Sequence, residues 1–452
     1  MRTRRQPDHR LFLLFTFYFL LLSSCSITKQ ISNSAKRTVI KDSSLLNAHL
    51  GISIYEPATN KYWYNYNGDK YFVPASNTKI PTCYAAMKYL GDSLVGLRVT
   101  EYDNYIFLFG NGDPTFLHPD FDRQPVNNFL KILSSSNKAV FFGSGGMWKE
   151  NALGSGWAWN DYDADYMAER SQFPIYGNVV SFSGKAGDIK VIPNYFNSHI
   201  EQYSTPKGML NSVERTQFSN EFKTFSYGNS IRIVQVPFIT SDTLNFKLLI
   251  DTLKITGWAL PGSAPPVMSD AEKIVRKYIL HSQPIDSLLK PMMHRSDNFF
   301  AEQSLLMVSN ERLGYMNDAK IIDTLLKTDF KDLPQKPRWV DGSGLSRYNL
   351  FTPQDFVAIL NKMKNEFGMD RVKVILPTGG EGTISSYYKT ESGFIFGKTG
   401  TLSGVVAFSG FLYTKKGKLI IFSTLVNNHN NSSSTGVRRA IEKFIEGIRN
   451  NY

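Results

Sequence analysis

Residues 74–79 read Pro74-Ala75-Ser76-Asn77-Thr78-Lys79, and the placement of this stretch decides how the rest of the chain is read. Ahead of it, residues 48–54 and 61–66 alternate apolar and polar side chains around Glu56-Pro57-Ala58-Thr59-Asn60, the pattern of a β-hairpin. Behind it, residues 77–90 read as a helix closed by Gly91. Ser76 therefore opens a helix that follows a hairpin. Pro81 requires that helix to begin within a few residues of Ser76, because an interior proline loses a backbone hydrogen bond. Side chains three apart share a helix face, which puts the Lys79 amine within reach of the Ser76 hydroxyl. The helix N-terminus adds partial positive charge for an oxyanion formed there.

Ser-x-x-Lys begins at six positions: Ser26, Ser76, Ser135, Ser204, Ser287 and Ser386. Ser26 lies in a polar leader, Ser204-Thr205-Pro206-Lys207 has turn composition, and Ser135 and Ser386 sit in polar turns. Ser287 lies in a plausible helix with no partner motif arranged around it. Two such motifs do follow Ser76 in order, Ser296-Asp297-Asn298 and Lys398-Thr399-Gly400. Ser-x-Asn recurs at Ser135, whereas Lys-Thr-Gly occurs once.

The chain has 452 residues, enough for two or three domains. Residues 101–261 hold short β-rich stretches (105–109, 140–142, 231–236, 247–249) joined by Gly, Asn, Ser and Asp. Ser269-Asp270-Ala271-Glu272 is a capping box predicting a helix to about residue 281. Another helix is expected after Asn298. Thr352 and Pro353 are a cap and a first-turn proline for a helix to about residue 365. Val405–Tyr413 and Leu419–Asn427 read as a strand pair around Lys415-Lys416-Gly417-Lys418, and residues 434–449 as a last helix. Strands at both ends with helices between predict an α+β domain, residues 45–100 and 262–452, interrupted by the β-rich insertion 101–261.

At the N-terminus, Arg2, Arg4, Arg5 and Arg10 precede the apolar run 11–22. Twelve helical residues rise about 18 Å, short of a hydrocarbon core of roughly 30 Å. Residues 1–24 thus read as a signal peptide. Leu22-Ser23-Ser24-Cys25 resembles a bacterial lipobox, which implies lipid on Cys25, a tether over 25–44, and a place at the periplasmic face of a bacterial cell envelope. Cys83 is the only other cysteine, so a disulfide scaffold is excluded. Lys+Arg number 51 against 39 Asp+Glu, a net charge of +12. Without zinc-finger spacing or an RNA-binding aromatic signature, that charge reads as a solvated surface facing an anionic envelope, and nucleic acid is not expected as a partner. The seven histidines show no metal-ligand spacing, and neither metal nor cofactor is expected.

Ser-x-x-Lys, Ser-x-Asn and Lys-Thr-Gly in this order resemble the three motifs of penicillin-binding proteins and serine β-lactamases. Further matches are Pro74-Ala75-Ser76, Gly110-Asn111-Gly112-Asp113-Pro114-Thr115, Gly156-Trp157-Ala158-Trp159-Asn160-Asp161, Asp341 to Arg347, and Leu376-Pro377 through Gly382-Thr383. Together they resemble the D-alanyl-D-alanine carboxypeptidases/endopeptidases of the class C low-molecular-mass penicillin-binding proteins. The resemblance implies a β-lactamase/transpeptidase-like domain, an antiparallel sheet flanked by helices, with one or two domains inserted between the first two motifs.

It implies a serine acyl-enzyme on Ser76, peptidoglycan stem peptides as substrate, and β-lactams as inhibitors. Lys79 is then the base, its pKa lowered by burial and by Lys398. Ser296 relays a proton to the leaving amine, and Asn298 orients Lys79 and the substrate amide. Lys398 and Thr399 bind the terminal carboxylate, Gly400 lets a strand approach closely, and the N–H groups of Ser76 and Thr401 form an oxyanion hole. Asp113 and Asp341 read as turn-forming aspartates, and Trp157 and Trp159 as packing residues. A β-lactamase or esterase on the same scaffold, or a non-catalytic envelope lipoprotein, is the alternative. Carboxypeptidase and endopeptidase action are not separated by these residues.

Overall fold

The computed structural model describes residues 27–143, 146–230, 232–256, 258–259 and 273–452. The alternating segments form the expected hairpin, β1 (His49–Glu56) and β2 (Lys61–Tyr66). A 3-10 turn, Ala75–Thr78, runs into α1 (Lys79–Tyr89), and the chain stops at Leu90 and Gly91, whose φ is +70°. It leaves through β3 (Ser93–Tyr102), β4 (Tyr105–Gly110) and β5 (Ala139–Gly143). It re-enters through β6 (Ile274–Pro284), α2 (Ile285–His294), α3 (Asn298–Leu313) and α4 (Pro353–Ile375). β7 (Ile395–Leu402), β8 (Val405–Tyr413), β9 (Leu419–Asn427) and α5 (Thr435–Asn451) complete it.

The body is an antiparallel sheet of order β7-β8-β9-β1-β2, so the two ends of the chain meet where Ser53 of β1 pairs with Ser423 of β9. Period-two alternation buries both faces. Ile52, Ile54, Val406, Phe408, Phe422 and Val426 share a core with Ile441, Phe444 and Ile445 of α5. Tyr55, Ala407, Phe411, Ile421 and Leu425 share the other core with α1, α2, α3 and α4. This is the α+β architecture expected from the motifs.

Residues 27–35 are helical, and Ile31, Ala35 and Val39 are buried in the core beside α5. The stretch expected as a tether is therefore packed from residue 27 onward; its apolar residues, spaced by four, find a partner helix 400 residues away in sequence. Cys25 and the signal segment lie outside the described residues. Among the described residues no helix is long and apolar enough to cross a membrane.

In the insertion, a four-stranded sheet has the order β6-β3-β4-β5. β3 pairs with β6 from Ser93 opposite Pro284 to Tyr102 opposite Ile274, so the boundaries expected at 100 and 262 leave both strands on the wrong side. Two three-stranded sheets follow, and Leu97, Val180, Phe182, Phe222 and Leu248 share one apolar core across all three sheets. Two local readings fail here. Residues 247–249 lie in a helix, Asp242–Leu253, capped by Ser241, and residues 274–281 are the strand β6 where a helix was expected. In α4 the capping box between Thr352 and Asp355 is present, but the helix runs ten residues beyond 365, broken at Gly368 with φ +76°.

Candidate active site

Lys79 begins α1 with its side chain wholly out of solvent. Its Nζ donates to three oxygens: Ser76 Oγ at 3.0 Å, Asn298 Oδ1 at 2.6 Å and the Ser343 carbonyl at 2.8 Å. Ser76 lies in the turn before it, where Ala75 takes a left-handed φ of +47°. Asn298 is the first residue of α3, whose N-cap Asp297 accepts from the Phe300 N–H at 2.9 Å. The Asn298 amide donates to the Tyr166 carbonyl at 3.0 Å, which turns its oxygen toward Lys79.

The second amine is equally buried. Lys398 Nζ donates to Ser296 Oγ at 2.9 Å and to the Thr399 carbonyl at 2.8 Å. The Thr399 hydroxyl donates to Thr383 Oγ1 at 2.6 Å. β7 passes so close to the serine turn that a Cβ on Gly400 would stand 2.5 Å from the Pro74 carbonyl oxygen and 3.0 Å from Ser76 N. That contact brings Thr399 and Thr401 to the edge of the cleft. Thr401 Oγ1 accepts from Arg438 at 2.5 Å. Ser76, Lys79, Ser296, Asn298, Lys398, Thr399, Gly400 and Thr401 thus come together from three separate parts of the chain, whereas Cys25 lies outside the described residues.

Burial sets the ionisation of both amines. It pushes Lys79 down to about 8, against an opposing pull from Asp341, Asp297 and Glu302. It pushes Lys398 well below the ordinary lysine value, with Lys79 and Arg438 adding repulsion. Desolvation is the leading cause at Lys79, the like charges of Lys79 and Lys398 repel each other, and three carboxylates favour the Lys79 ammonium.

A loop from Asp341 to Asn349 aims the Ser343 carbonyl. Asp341 accepts from the N–H groups of Gly344 at 2.9 Å and Ser346 at 2.6 Å, from Asn349 Nδ2 at 2.7 Å and from Trp157 Nε1 at 3.0 Å. The turn-forming role read for this aspartate is what the loop uses, and Trp157 packs between the insertion and the body. Trp159, read as a packing residue, is instead 72% exposed. Asp113 accepts from the Thr115 N–H at 2.9 Å within its glycine-rich turn, and Gln303 of α3 donates to the Gly112 carbonyl at 2.7 Å. Cys83 is buried in the core under α1, where burial pushes its thiol up.

Sequence reasoning missed Ser343, Thr383, Tyr166, Glu302 and Arg438. The first two stand inside motifs it quoted. The others are single polar residues with no spacing signal, visible only when distant segments are brought together. The donor set is amines, hydroxyls and an amide, suited to proton transfer and carboxylate binding. Among the described residues no group of three His, Cys, Asp or Glu is disposed to hold a metal ion.

The sequence profile of the D-Ala-D-Ala carboxypeptidase 3 (S13) family matches residues 33–447. The chain is 24% identical to a D-alanyl-D-alanine carboxypeptidase of Actinomadura sp., over 89% of this chain and 82% of that protein. It is 24% identical to the D-alanyl-D-alanine carboxypeptidase DacB of Haemophilus influenzae, over 81% of this chain and 82% of that one. Its fold is similar to that of penicillin binding protein 4 of Haemophilus influenzae, with a TM-score of 0.72 at 19% identity, covering 93% of this chain and 99% of the other.

Proposed function

The chain belongs to the D-Ala-D-Ala carboxypeptidase 3 (S13) family, and from that premise we propose how its residues carry out a serine-type D-Ala-D-Ala carboxypeptidase/endopeptidase reaction on peptidoglycan stem peptides. One observation carries the mechanism: the three partners of Lys79 Nζ are two pure acceptors, Asn298 Oδ1 and the Ser343 carbonyl, and one hydroxyl, Ser76. A neutral amine has two N–H groups and one lone pair. With the N–H groups held by the acceptors, the lone pair faces the Ser76 O–H. At a pKa of about 8, roughly a tenth of Lys79 is in this form at pH 7.

Ser76 Oγ attacks the carbonyl carbon of the penultimate D-alanine and its proton passes to Lys79. The oxyanion is held by the N–H groups of Ser76 and Thr401, which the close approach at Gly400 supports. When the C–N bond breaks, Ser296 gives its proton to the leaving amine and takes up the one that Lys79 received from Ser76, which leaves Lys79 neutral again. Because Ser296 Oγ accepts from Lys398, its own proton is free to point away, toward the amine. Lys398 and the Thr399 hydroxyl, whose proton turns from Thr383 to the substrate, hold the terminal carboxylate. Water attacks the ester, Lys79 again taking a proton, and Ser76 is released. β-Lactams acylate the same hydroxyl; the Haemophilus protein has also been solved with a β-lactam bound.

Cys25 is the proposed lipidation site after removal of residues 1–24, anchoring the enzyme at the periplasmic face of the envelope. The first test is labelling by a fluorescent penicillin. Wild type is expected to label and to release the drug slowly, and Ser76→Ala to lose labelling and D-Ala release by at least about a thousandfold. Wild-type release of D-alanine by Ser76→Ala sinks the mechanism. Rapid turnover of penicillin points to a β-lactamase. Mass analysis of monomeric and cross-linked muropeptides after digestion separates carboxypeptidase from endopeptidase action.

A further inference from the structure

Residues 157–170 belong to the insertion, yet three of their groups end on the parts that fix Lys79. Trp157 donates to Asp341 at the base of the Ser343 loop. The Tyr166 carbonyl sets the orientation of the Asn298 amide. Arg170 reaches Glu302 Oε2 at 3.3 Å, and Glu302 Oε1 accepts the Ser343 N–H at 2.7 Å, one peptide from the carbonyl that Lys79 uses. Asn298 and Glu302 are four apart on α3, so one helix face carries both supports.

Arg170 is 1% exposed and comes from outside the catalytic body. Its other partners are Asp318 at 2.7 Å, Glu150 at 3.4 Å and the Asn151 carbonyl at 2.9 Å, and its guanidinium lies 5.5 Å from the centre of the Trp157 ring. A buried carboxylate keeps its charge through a paired cation or several hydrogen bonds, and at Glu302 Arg170 supplies the cation. Burial and Asp341 push Glu302 up to about 7, while Arg170 and the hydrogen bond from Ser343 pull it down.

We propose that Arg170 is a positioning residue for Lys79, contributed by the insertion, which keeps Glu302 ionised and in place so that the Ser343 carbonyl stays aimed at the amine. This rests on the reading of Lys79 as the base. The groups that face Lys79 are Asp297, Asn298 and Glu302 from α3, Asp341 and Ser343 from the loop, Ser76 from its own turn, and Lys398 from β7, which it repels. Loss of the charge on Glu302 removes one of three carboxylates that favour the Lys79 ammonium.

The test is the rate of acylation by a fluorescent penicillin against pH, on the full chain, for wild type, Arg170→Met, Glu302→Gln and the double variant. Wild-type labelling that vanishes in Ser76→Ala secures the underlying reading, so a flat result in the other variants counts against the positioning role alone. Glu302→Gln keeps an acceptor for the Ser343 N–H and loses the charge; its rising limb is expected to move toward acid by about half a pH unit, a roughly threefold shift in the Lys79 proton equilibrium. In Arg170→Met, Glu302 takes up a proton, so the limb moves the same way. The plateau also falls, on the order of tenfold, as the carbonyl loses its aim. The double variant is expected to move the limb no further than either single one, since the two residues act as a unit. An unmoved limb in Arg170→Met, with a rate loss that only follows its melting temperature, overturns the proposal. Should that variant fail to fold, an unmoved limb in the near-isosteric Glu302→Gln overturns it as well.

Discussion

The sheet-and-helix body and the inserted lobe each close around apolar cores, but they place their buried polar groups differently. The lobe's core is Leu97, Val180, Phe182, Phe222 and Leu248. Its most deeply buried cation, Arg170, finds two of its three carboxylates, Glu302 and Asp318, on the body. The body instead encloses two amines, Lys79 and Lys398, against hydroxyls and carbonyls at the foot of a cleft. The lobe thus holds itself together by apolar burial and joins the body through these polar contacts and through Ala168, Val179 and Phe121, which pack against the body's core. Damage to the lobe's core is expected to cost stability, and damage beneath the cleft to cost chemistry.

The largest expected effect lies in the body. Gly344 has φ +84°, and a Cβ there would fall 1.9 Å from the Ala75 carbonyl oxygen, at the turn that carries Ser76. Gly344→Ala must move either the loop or the serine. Acylation is expected to drop on the order of a hundredfold, since a displacement of about 1 Å suffices for that. Rates within threefold of wild type in stopped-flow labelling break the claim that this contact sets the serine.

The counterpart in the lobe is Phe182→Ala. Phe182 has no exposed surface, and truncating a phenylalanine in a core costs about 3–5 kcal/mol. Urea unfolding is expected to show that loss, while penicillin acylation of the folded fraction at low temperature stays within about threefold. A rate loss as deep as that of Gly344→Ala, with stability little changed, erases the distinction between the two regions.

The same division governs what the sequence discloses. Around Ser76, a hairpin, a proline and a closing glycine each act within a few residues of the site, so local rules place this serine at the start of its helix. Thr352 caps its helix as its place before Pro353 announces, because a cap is a contact between near neighbours. In the lobe the deciding contacts are distant. β6 is a strand because β3, paired with it from Ser93 opposite Pro284 to Tyr102 opposite Ile274, offers its edge, and that pairing decides residues 274–281; the capping box at 269–272 lies outside the described residues. Residues 247–249 are too short an apolar run to distinguish strand from helix. Lys79, Ser296, Asn298 and Lys398 announce themselves as motifs, whereas Glu302 and Arg170 carry no pattern, since a buried ion pair 132 residues apart leaves no local mark.

The smallest effect falls on the seam between the regions. Trp157→Phe keeps an aromatic ring beside Arg170 but loses half of the indole, including the N–H that reaches Asp341. Asp341 retains three donors, from Gly344, Ser346 and Asn349. With one of four hydrogen bonds to this carboxylate gone, the expected loss is about 1.5 kcal/mol in denaturant unfolding, the lower end for a bond to a charged group. The three remaining donors hold the loop in its turn, so the Ser343 carbonyl keeps its direction and acylation falls less than tenfold. A larger rate loss at that same stability means that Asp341 leans on the lobe more than on its own loop, and the seam then belongs to the catalytic apparatus. No change in either measurement means that the Ser346 and Gly344 N–H groups suffice, and that the lobe reaches the cleft through Arg170 and the Tyr166 carbonyl alone.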